Sequence, residues 1–195
     1  VTDAVFSMDG DMALMPELVT VSQQQQAALM IDDAHGFGVL GKTGAGTSEH
    51  FGCTVDDVPI YMATLGKAVG TFGAFVAGSQ ELIDYLRNFA RPYIYTTALP
   101  PAIAAATRQS LRLIAQETWR REQLQAHIQS FRQQVLAQGW SLMASDTALC
   151  RIISVDLKTS SSWLVRVNRR RQGKQRQGQP RQDKLRQRRI GLGDE

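Results

Sequence analysis

The chain has 195 residues, 43% of them hydrophobic and 21% charged, and a formal net charge of +4 at pH 7. This length and composition suit a globular domain of ordinary size. Cys53 and Cys150 match neither a zinc pattern nor a disulfide framework, and no apolar run reaches about 18 residues, so we expect no metal site, no membrane-spanning helix and a reducing, by default cytoplasmic, compartment.

The first chemical signal follows the apolar run Ala-Leu-Met-Ile at residues 28–31, which predicts a short, buried strand. Asp32 comes directly after this run, at the carboxyl end of the strand, where open α/β sheets bind ligands. A buried carboxylate needs a partner, and His35 follows in the same segment. Taken alone, His35 is more often an ordinary hydrogen-bonded histidine, so its interpretation depends on its neighbours.

The next segment, residues 36–43, fits the phosphate-loop pattern G-x-x-x-x-G-K-[ST] and contains the dinucleotide pattern G-x-G-x-x-G. Both patterns require a helix directly after the loop, where Gly44 and Gly46 would each cost about 1 kcal/mol of helix propensity. No amphipathic run starts there, and the next predicted strand leads to Thr64 rather than to a magnesium-binding Asp. The glycines therefore favour an irregular active-site loop, with a nucleotide-binding loop as the alternative.

A second strand is predicted at residues 59–63, and Lys67 follows it in the sequence Thr-Leu-Gly-Lys. A lone lysine in a loop is more often a solvated turn residue. Here the lysine, the His35 imidazole and the Asp32 carboxylate would meet at strand ends. Pyridoxal 5'-phosphate (PLP) requires such groups: a lysine for the Schiff base, a carboxylate at the pyridinium nitrogen and a polar group near the ring oxygen. The sequence therefore predicts a PLP site.

The remaining elements are predicted from caps and apolar spacing. Residues 71–77 alternate small and apolar side chains, which is typical of a strand. A cap at Ser79 begins an amphipathic helix through residue 89, and a proline pair opens a longer helix over residues 102–117. A third helix over residues 120–138 ends at Gly139, before a strand that begins at residue 140. Its apolar face is predicted to contain Leu124, Ile128, Phe131, Val135 and Leu136.

Three motifs, in this order, closely resemble the α-oxoamine synthase family of PLP-dependent enzymes. They are Ile-Asp-Asp-Ala-His-Gly-Phe-Gly-Val-Leu-Gly (31–41), Thr-Leu-Gly-Lys (64–67) and Ala-Arg-Pro-Tyr-Ile-Tyr-Thr-Thr-Ala-Leu-Pro-Pro (90–101). The resemblance runs from about Val5 to about Thr147. It implies the α/β fold of PLP-dependent transferases, aspartate aminotransferase-like fold type I, with an incomplete large domain and a truncated small domain.

The resemblance also implies boundaries. Residues 1–117 would be part of the PLP-binding large domain, and residues 118–147 would be a linker helix and the start of the small C-terminal domain. Residues 148–195 would form a divergent, disordered basic tail. The segment that stacks on the PLP ring in this family has no counterpart here, so the chain is expected to be a fragment, and activity of the fragment itself is not predicted.

The resemblance assigns catalytic and cofactor-binding roles to three residues. Lys67 would hold PLP through a Schiff base and, once released by the amino acid substrate, would remove its α-proton as a general base. Asp32 would pair with the pyridine nitrogen. His35 would hydrogen-bond the 3-oxygen of the ring.

Three further cofactor contacts are implied by the resemblance. Ser7 would contact PLP from the end of the preceding strand, and Thr64 would bind the phosphate through its hydroxyl. Thr97 would reach the phosphate of the neighbouring subunit's PLP, which makes the expected assembly a homodimer. Without the resemblance, the hydroxyls of all three residues are more simply explained as turn caps.

Within this family, the three motif sequences are most similar to those of the members that condense L-alanine with pimeloyl-CoA, or another pimeloyl thioester, with decarboxylation in biotin biosynthesis. Another α-oxoamine synthase, of the glycine C-acetyltransferase type, is the alternative. The implied small-molecule partners are therefore L-alanine and a pimeloyl thioester.

The end of the chain has a different composition. From Arg166 to Arg189 it holds 11 of the 22 Lys and Arg residues but one acid, Asp183. A segment with so few apolar residues cannot bury enough surface to fold, and it could bind nucleic acid through phosphate contacts. The abrupt loss of resemblance instead favours a reading-frame error or misannotated exon. Nucleic-acid binding is the less favoured explanation, since no aromatic platform supports it.

Overall fold

The computed structural model describes residues 1–153, which lie within one unit, Val1–Lys158. In chain order its elements are β1 (Thr2–Asp3), α1 (Met15–Gln24), β2 (Met30–Asp32), α2 (Thr47–Phe51), β3 (Ile60–Thr64), β4 (Ala74–Gly78), α3 (Gln80–Phe89), α4 (Arg91–Ile94), α5 (Pro101–Gln116), α6 (Trp119–Ala137), β5 (Ser141–Leu142) and β6 (Ile152–Ile153). The predicted basic tail from Arg166 to Arg189 lies outside the described residues, as do the other residues after 153.

The main sheet has four strands in the order β1-β2-β3-β4. β1 and β2 are parallel, as are β2 and β3, whereas β4 runs antiparallel to β3. Ile31 lies opposite Tyr61, and Asp32 lies opposite Met62, so the carboxyl ends of β2 and β3 meet at the same edge. This edge brings together the loops that follow both strands, and these loops carry His35 and Lys67.

A small apolar core lies against the first part of this sheet. Its buried members are Ala4, Ala13, Met15, Leu29, Ile31 and Val58. Ile31 is fully buried, whereas the adjacent residues of β2, Met30 and Asp32, are half-buried and Ala28 is exposed. The expectation of a wholly buried strand over residues 28–31 was therefore wrong in extent, because only alternate side chains of a strand face the same side.

Local signals define the ends of the longer helices. The Ser79 hydroxyl accepts a hydrogen bond from the Leu82 N–H and caps α3, and Gly139, at φ +79°, follows the end of α6. The predicted apolar face of α6 is only partly buried. Ile128 is buried on it, but Leu136, predicted on the same face, is 55% exposed.

The strand predicted at residues 71–77 begins later, at Ala74, because the preceding residues close a turn. The Thr71 N–H donates to the Leu65 carbonyl, and the Leu65 N–H donates to the Gly73 carbonyl. The Gly70 N–H also donates to the carbonyl of Lys67. These hydrogen bonds make residues 65–73 a compact connection between β3 and β4, with Lys67 at its exposed tip.

Two features concern the C-terminal part of the described chain. β5 and β6 pair in antiparallel fashion, with Leu142 opposite Ile152, so regular structure continues past residue 147. Within residues 1–153, no helix is long and apolar enough to cross a membrane.

Candidate functional site

Lys67 and His35 meet at the shared edge of β2 and β3. The Lys67 Nζ lies 2.8 Å from the His35 Nε2. His35 follows the end of β2 and is half-buried, whereas Lys67 lies in the connection after β3 and is exposed. The parallel pairing of the two strands produces this contact between residues that are 32 positions apart in sequence.

The surroundings of His35 favour its neutral form. Burial and the nearby positive charge of Lys67 lower the pKa of His35 below its ordinary value of 6.5, while the carboxylates of Asp3, Asp32 and Asp33 act in the opposite direction. A neutral imidazole nitrogen can accept a hydrogen bond from an ammonium group. The pair can therefore share a proton between an amine and an imidazole.

Asp32 ends β2 beside this pair. One of its carboxylate oxygens, Oδ1, accepts a hydrogen bond from the Ala34 N–H at 2.9 Å. Because an ionised carboxylate can accept about four hydrogen bonds, this contact leaves Asp32 the capacity for another donor. The half-buried side chain can therefore bind a group such as a pyridinium N–H.

Asp33, the next residue, is fully buried, whereas Asp32 is only half-buried. Its Oδ1 accepts from the Thr47 hydroxyl at 2.5 Å, and its Oδ2 accepts from the Thr47 N–H at 2.7 Å and from the Tyr61 hydroxyl at 2.6 Å. Burial raises the pKa of Asp33 above its ordinary value, against these hydrogen bonds, which lower it. Burial and the Asp33 charge raise the pKa of Tyr61 as well, so that its hydroxyl remains a donor.

The buried carboxylate was predicted at Asp32, whereas Asp33 is the fully buried one. The available signal was the strand alternation, because Asp33 lies two residues from the buried Ile31 and therefore on the same side of the chain. Two consecutive aspartates in the sequence do not by themselves show which of the two carboxylates is buried.

The glycine-rich segment folds into a loop, residues 36–46, that differs from a phosphate-binding loop. Contrary to expectation, a short helix, α2, does follow it, but it begins at Thr47, after Lys42 and Thr43 rather than at them. The N–H groups of Thr43 and Ala45 donate to the Glu49 carboxylate at 3.0 Å each. Although burial opposes it, these hydrogen bonds hold the pKa of Glu49 below its ordinary value. A carboxylate of the chain itself thus binds the amides that a phosphate would need.

Arg121, from α6, also binds this loop. Its guanidinium donates to the Ile114 carbonyl at 2.5 Å and to the Lys42 carbonyl at 2.8 Å. The residue is only 9% exposed. Sequence reasoning did not identify this residue, because its partner in the loop is 79 positions away.

The remaining predicted cofactor contacts have different surroundings. The Thr64 hydroxyl donates to the Gly73 carbonyl at 3.1 Å and accepts from the Gly66 N–H at 3.2 Å, so in this structure it closes the turn before Lys67. Ser7 is exposed in the turn between the bridged residues Val5 and Met12. Thr97 is exposed between α4 and α5. The structure thus brings together Asp32, His35 and Lys67, but it gives Ser7, Thr64 and Thr97 surroundings of their own.

Two open clefts elsewhere in the described part, of about 340 and 390 Å³, are not lined by Asp32, His35 or Lys67. One lies between residues 10–17 and 144–147, and the other lies along α6. Because the strand-end groups are the ones that can carry chemistry, we assign the candidate site to them and not to these clefts.

Comparison with known proteins found a matching family model and related sequences. Residues 1–175 match the family model for aminotransferase class I and II. The 8-amino-7-oxononanoate synthase of Cellvibrio japonicus is 62% identical over 145 residues, which are 74% of this chain and 36% of that protein. The enzyme of the same name from Methylococcus capsulatus is 59% identical over 142 residues, 73% of this chain and 37% of that protein. The chain therefore spans about two fifths of the length of these relatives.

Solved structures give the same result for the fold. Serine palmitoyltransferase of Sphingomonas wittichii has a TM-score of 0.74 and 32% identity, covering 80% of this chain and 40% of that one. The 8-amino-7-oxononanoate synthase of Francisella tularensis has a TM-score of 0.66 and 35% identity, covering 75% and 43%. A structure of SPT with a PLP internal aldimine has a TM-score of 0.75 and 30% identity, covering 80% and 40%. The predicted PLP-transferase fold and the predicted resemblance are confirmed.

Proposed function

The chain belongs to the aminotransferase class I and II family, and from this premise we propose that it is part of a PLP-dependent acyltransferase. The proposed reaction condenses L-alanine with pimeloyl-CoA, or another pimeloyl thioester, with decarboxylation, and yields 8-amino-7-oxononanoate for biotin biosynthesis. The observation that carries the proposal is the contact between Lys67 Nζ and His35 Nε2 at 2.8 Å, beside Asp32 at the strand ends.

The residues at this edge fit PLP by their chemistry. An amine, an imidazole and a carboxylate are available on one side of the sheet, and Lys67 is exposed enough for its amine to reach a carbonyl carbon. Asp32 retains capacity for a donor beyond the Ala34 N–H, as a pyridinium nitrogen requires. PLP, when bound, would supply a ring that accepts the electron pair left behind by removal of a proton from the substrate.

Lys67 has two roles in the proposed reaction. Its amine would hold the cofactor, and when an amino acid substrate is bound the Nζ atom would be free to act on a proton. The freed amine removes the α-proton of the bound amino acid and becomes an ammonium group. The His35 Nε2, at hydrogen-bond distance from that atom, orients the amine toward the substrate.

Asp32 and His35 supply fixed interactions around the reacting centre. The Asp32 carboxylate would hold the cofactor nitrogen and would stabilise positive charge there, which favours withdrawal of electrons from the substrate. His35, held neutral by the lowered pKa, can donate or accept a hydrogen bond at the ring oxygen. Ser7, Thr64 and Thr97 are proposed as further cofactor contacts, with Thr64 at the phosphate and Thr97 at the phosphate held by a second subunit.

The choice of substrates rests on the relatives. The curated relatives at 56–62% identity are named 8-amino-7-oxononanoate synthase, whereas the serine palmitoyltransferase structures are 28–32% identical. The shared name of these relatives favours L-alanine and a pimeloyl thioester over the glycine C-acetyltransferase alternative. Because the chain spans about two fifths of these relatives, the complete reaction, the homodimer and the cytoplasmic location all remain parts of the proposal.

The cofactor site can be tested by chemical trapping. The 195-residue chain is incubated with PLP, reduced with borohydride and digested, and the modified lysines are identified by mass spectrometry. We expect the adduct on Lys67, its loss in Lys67→Ala, and its retention in Lys42→Ala, which removes another exposed lysine near the site. Equal labelling of both lysines would contradict a specific PLP site.

The substrate can be tested in the same assay. An amino acid that replaces Lys67 on the cofactor protects the lysine from reductive trapping, so we expect L-alanine to lower the Lys67 adduct at smaller concentrations than glycine or D-alanine. Formation of 8-amino-7-oxononanoate from L-alanine and pimeloyl-CoA is then followed by mass spectrometry. Stronger protection by glycine, with turnover of acetyl-CoA, would favour the glycine C-acetyltransferase type instead.

A further inference from the structure

The buried carboxylate of Asp33 joins three parts of the fold. Its donors come from Thr47, the first residue of α2, and from Tyr61 in the middle of β3. Asp33 itself follows β2, and its backbone N–H donates to the Met62 carbonyl at 2.8 Å. One side chain therefore connects the end of β2 and strand β3 to the helix that follows the glycine-rich loop.

Both ends of the loop pack directly on this carboxylate. A Cβ atom at Gly36 would overlap the Asp33 Oδ1 and the Thr47 hydroxyl, and a Cβ atom at Gly46 would overlap the Asp33 Oδ2. The backbone at these positions approaches the carboxylate so closely that no side chain fits. Asp33 therefore fixes where the loop begins and where it ends.

The loop in turn lies next to the chain neighbours of the residues proposed to act on the cofactor. His35 directly precedes Gly36, and a Cβ atom at Gly38 would lie 2.9 Å from the Ala68 Cβ. Ala68 is the neighbour of Lys67 in the chain. A shift of the loop would consequently move both members of the Lys67–His35 pair.

We propose that Asp33 is a positioning residue for the Lys67–His35 pair: by accepting hydrogen bonds from Thr47 and Tyr61, it fixes the loop that determines the distance between the amine and the imidazole. The proposal rests on the function proposed above, because the pair matters only if Lys67 binds the cofactor. Burying a charge opposes folding, and replacing buried polar groups by apolar ones is often neutral or stabilising. An orienting role accounts for the buried carboxylate better than a contribution to stability does.

Asp33→Asn tests this role, since asparagine has the same shape but would direct its NH₂ group at one or more of the present donors. The matched control is Asp57→Asn. Asp57 also accepts from a threonine N–H and hydroxyl, those of Thr54 at 2.8 Å each, but it is only half-buried and lies outside the loop, after α2. Tyr61→Phe is a milder second variant, which removes one donor and leaves both Thr47 contacts.

Two quantities are measured in the 195-residue chain. Hydrogen exchange reports loop opening at the amides of Gly38 and Gly46, which donate to Gly44 and Leu40, with the Ile83 amide of α3 as the internal reference. Borohydride trapping with PLP reports the ratio of adduct on Lys67 to adduct on other lysines. For Asp33→Asn we expect loop exchange to rise about tenfold or more and the PLP concentration for half-labelling of Lys67 to rise by a similar factor.

The outcomes separate the alternatives. Smaller changes of both quantities in Tyr61→Phe, and none in Asp57→Asn, would support the proposal, and this holds even if Asp33→Asn fails to fold. Faster loop exchange with unchanged labelling of Lys67 would make Asp33 merely structural and overturn the positioning role, as would no change in either quantity. If the unmodified chain does not label Lys67 selectively, the cofactor site itself fails, and the positioning role fails with it.

Discussion

Gly46→Ala tests the close approach of the loop to Asp33. Gly46 lies at φ +95° and ψ −158°, a region that is essentially restricted to glycine and costs another residue about 1–3 kcal/mol. Its Cβ atom would overlap the Asp33 carboxylate and lie 2.5 Å from the Tyr61 hydroxyl. At least one buried hydrogen bond to a charged group would break, at a further cost of about 1.5–3 kcal/mol. The expected loss in free energy of unfolding is therefore about 2.5–6 kcal/mol.

Gly52→Ala is the matched control, because Gly52 also has a positive φ, +69°, but a Cβ atom there would meet nothing within 4 Å. This variant should lose only the backbone contribution, about 1–2 kcal/mol. Urea denaturation followed by far-UV circular dichroism gives the free energy of unfolding of both variants and of the unmodified chain. A loss in Gly46→Ala no larger than that in Gly52→Ala would refute the close packing of the loop on Asp33.

Two further predictions concern the pair and the loop. Because burial and the charge of Lys67 lower the pKa of His35 below 6.5, His35 should contribute stability above that pH and lose it as pH falls through its folded pKa. In an NMR titration, Lys67→Ala should raise the pKa of His35, and an unchanged value would contradict the contact. Arg121→Met keeps the apolar stem but removes two hydrogen bonds, so urea denaturation should give a loss of about 2–4 kcal/mol. Arg120→Met, at an exposed neighbour, should have little effect. An equal loss of unfolding free energy in both variants would contradict the stabilising role of the Arg121 hydrogen bonds.

Local sequence signals were sufficient for several elements. The cap at Ser79 and the glycine at position 139 predicted helix ends to within a residue or two, because capping and left-handed turns depend on neighbours within one helical turn. The meeting of Asp32, His35 and Lys67 at one edge was predicted in the same way, and their roles at a cofactor stay predictions. Asp32 and Lys67 follow apolar strands, and parallel strands bring their carboxyl ends to one edge.

Other features depend on contacts between distant parts of the chain. The absence of an amphipathic run after Gly46 argued against a helix, yet α2 begins at Thr47, whose N–H and hydroxyl bind the Asp33 carboxylate. Leu136 has helical spacing that predicted burial, but it remains 55% exposed because spacing does not specify which part of a face is covered.

The sequence by itself indicated β2, β3, β4, α3, α5 and α6, together with the types of residue at the strand ends, since these follow from short-range periodicity and turn chemistry. Only the tertiary structure decided which acid of the Asp32–Asp33 doublet is fully buried and which is half-buried beside Lys67 and His35. It likewise decided that Glu49 binds the amides of the glycine-rich loop. The physical reason is that a carboxylate's environment is set by the donors that surround it in space, and for Asp33 those donors come from residues 14 and 28 positions further along the chain.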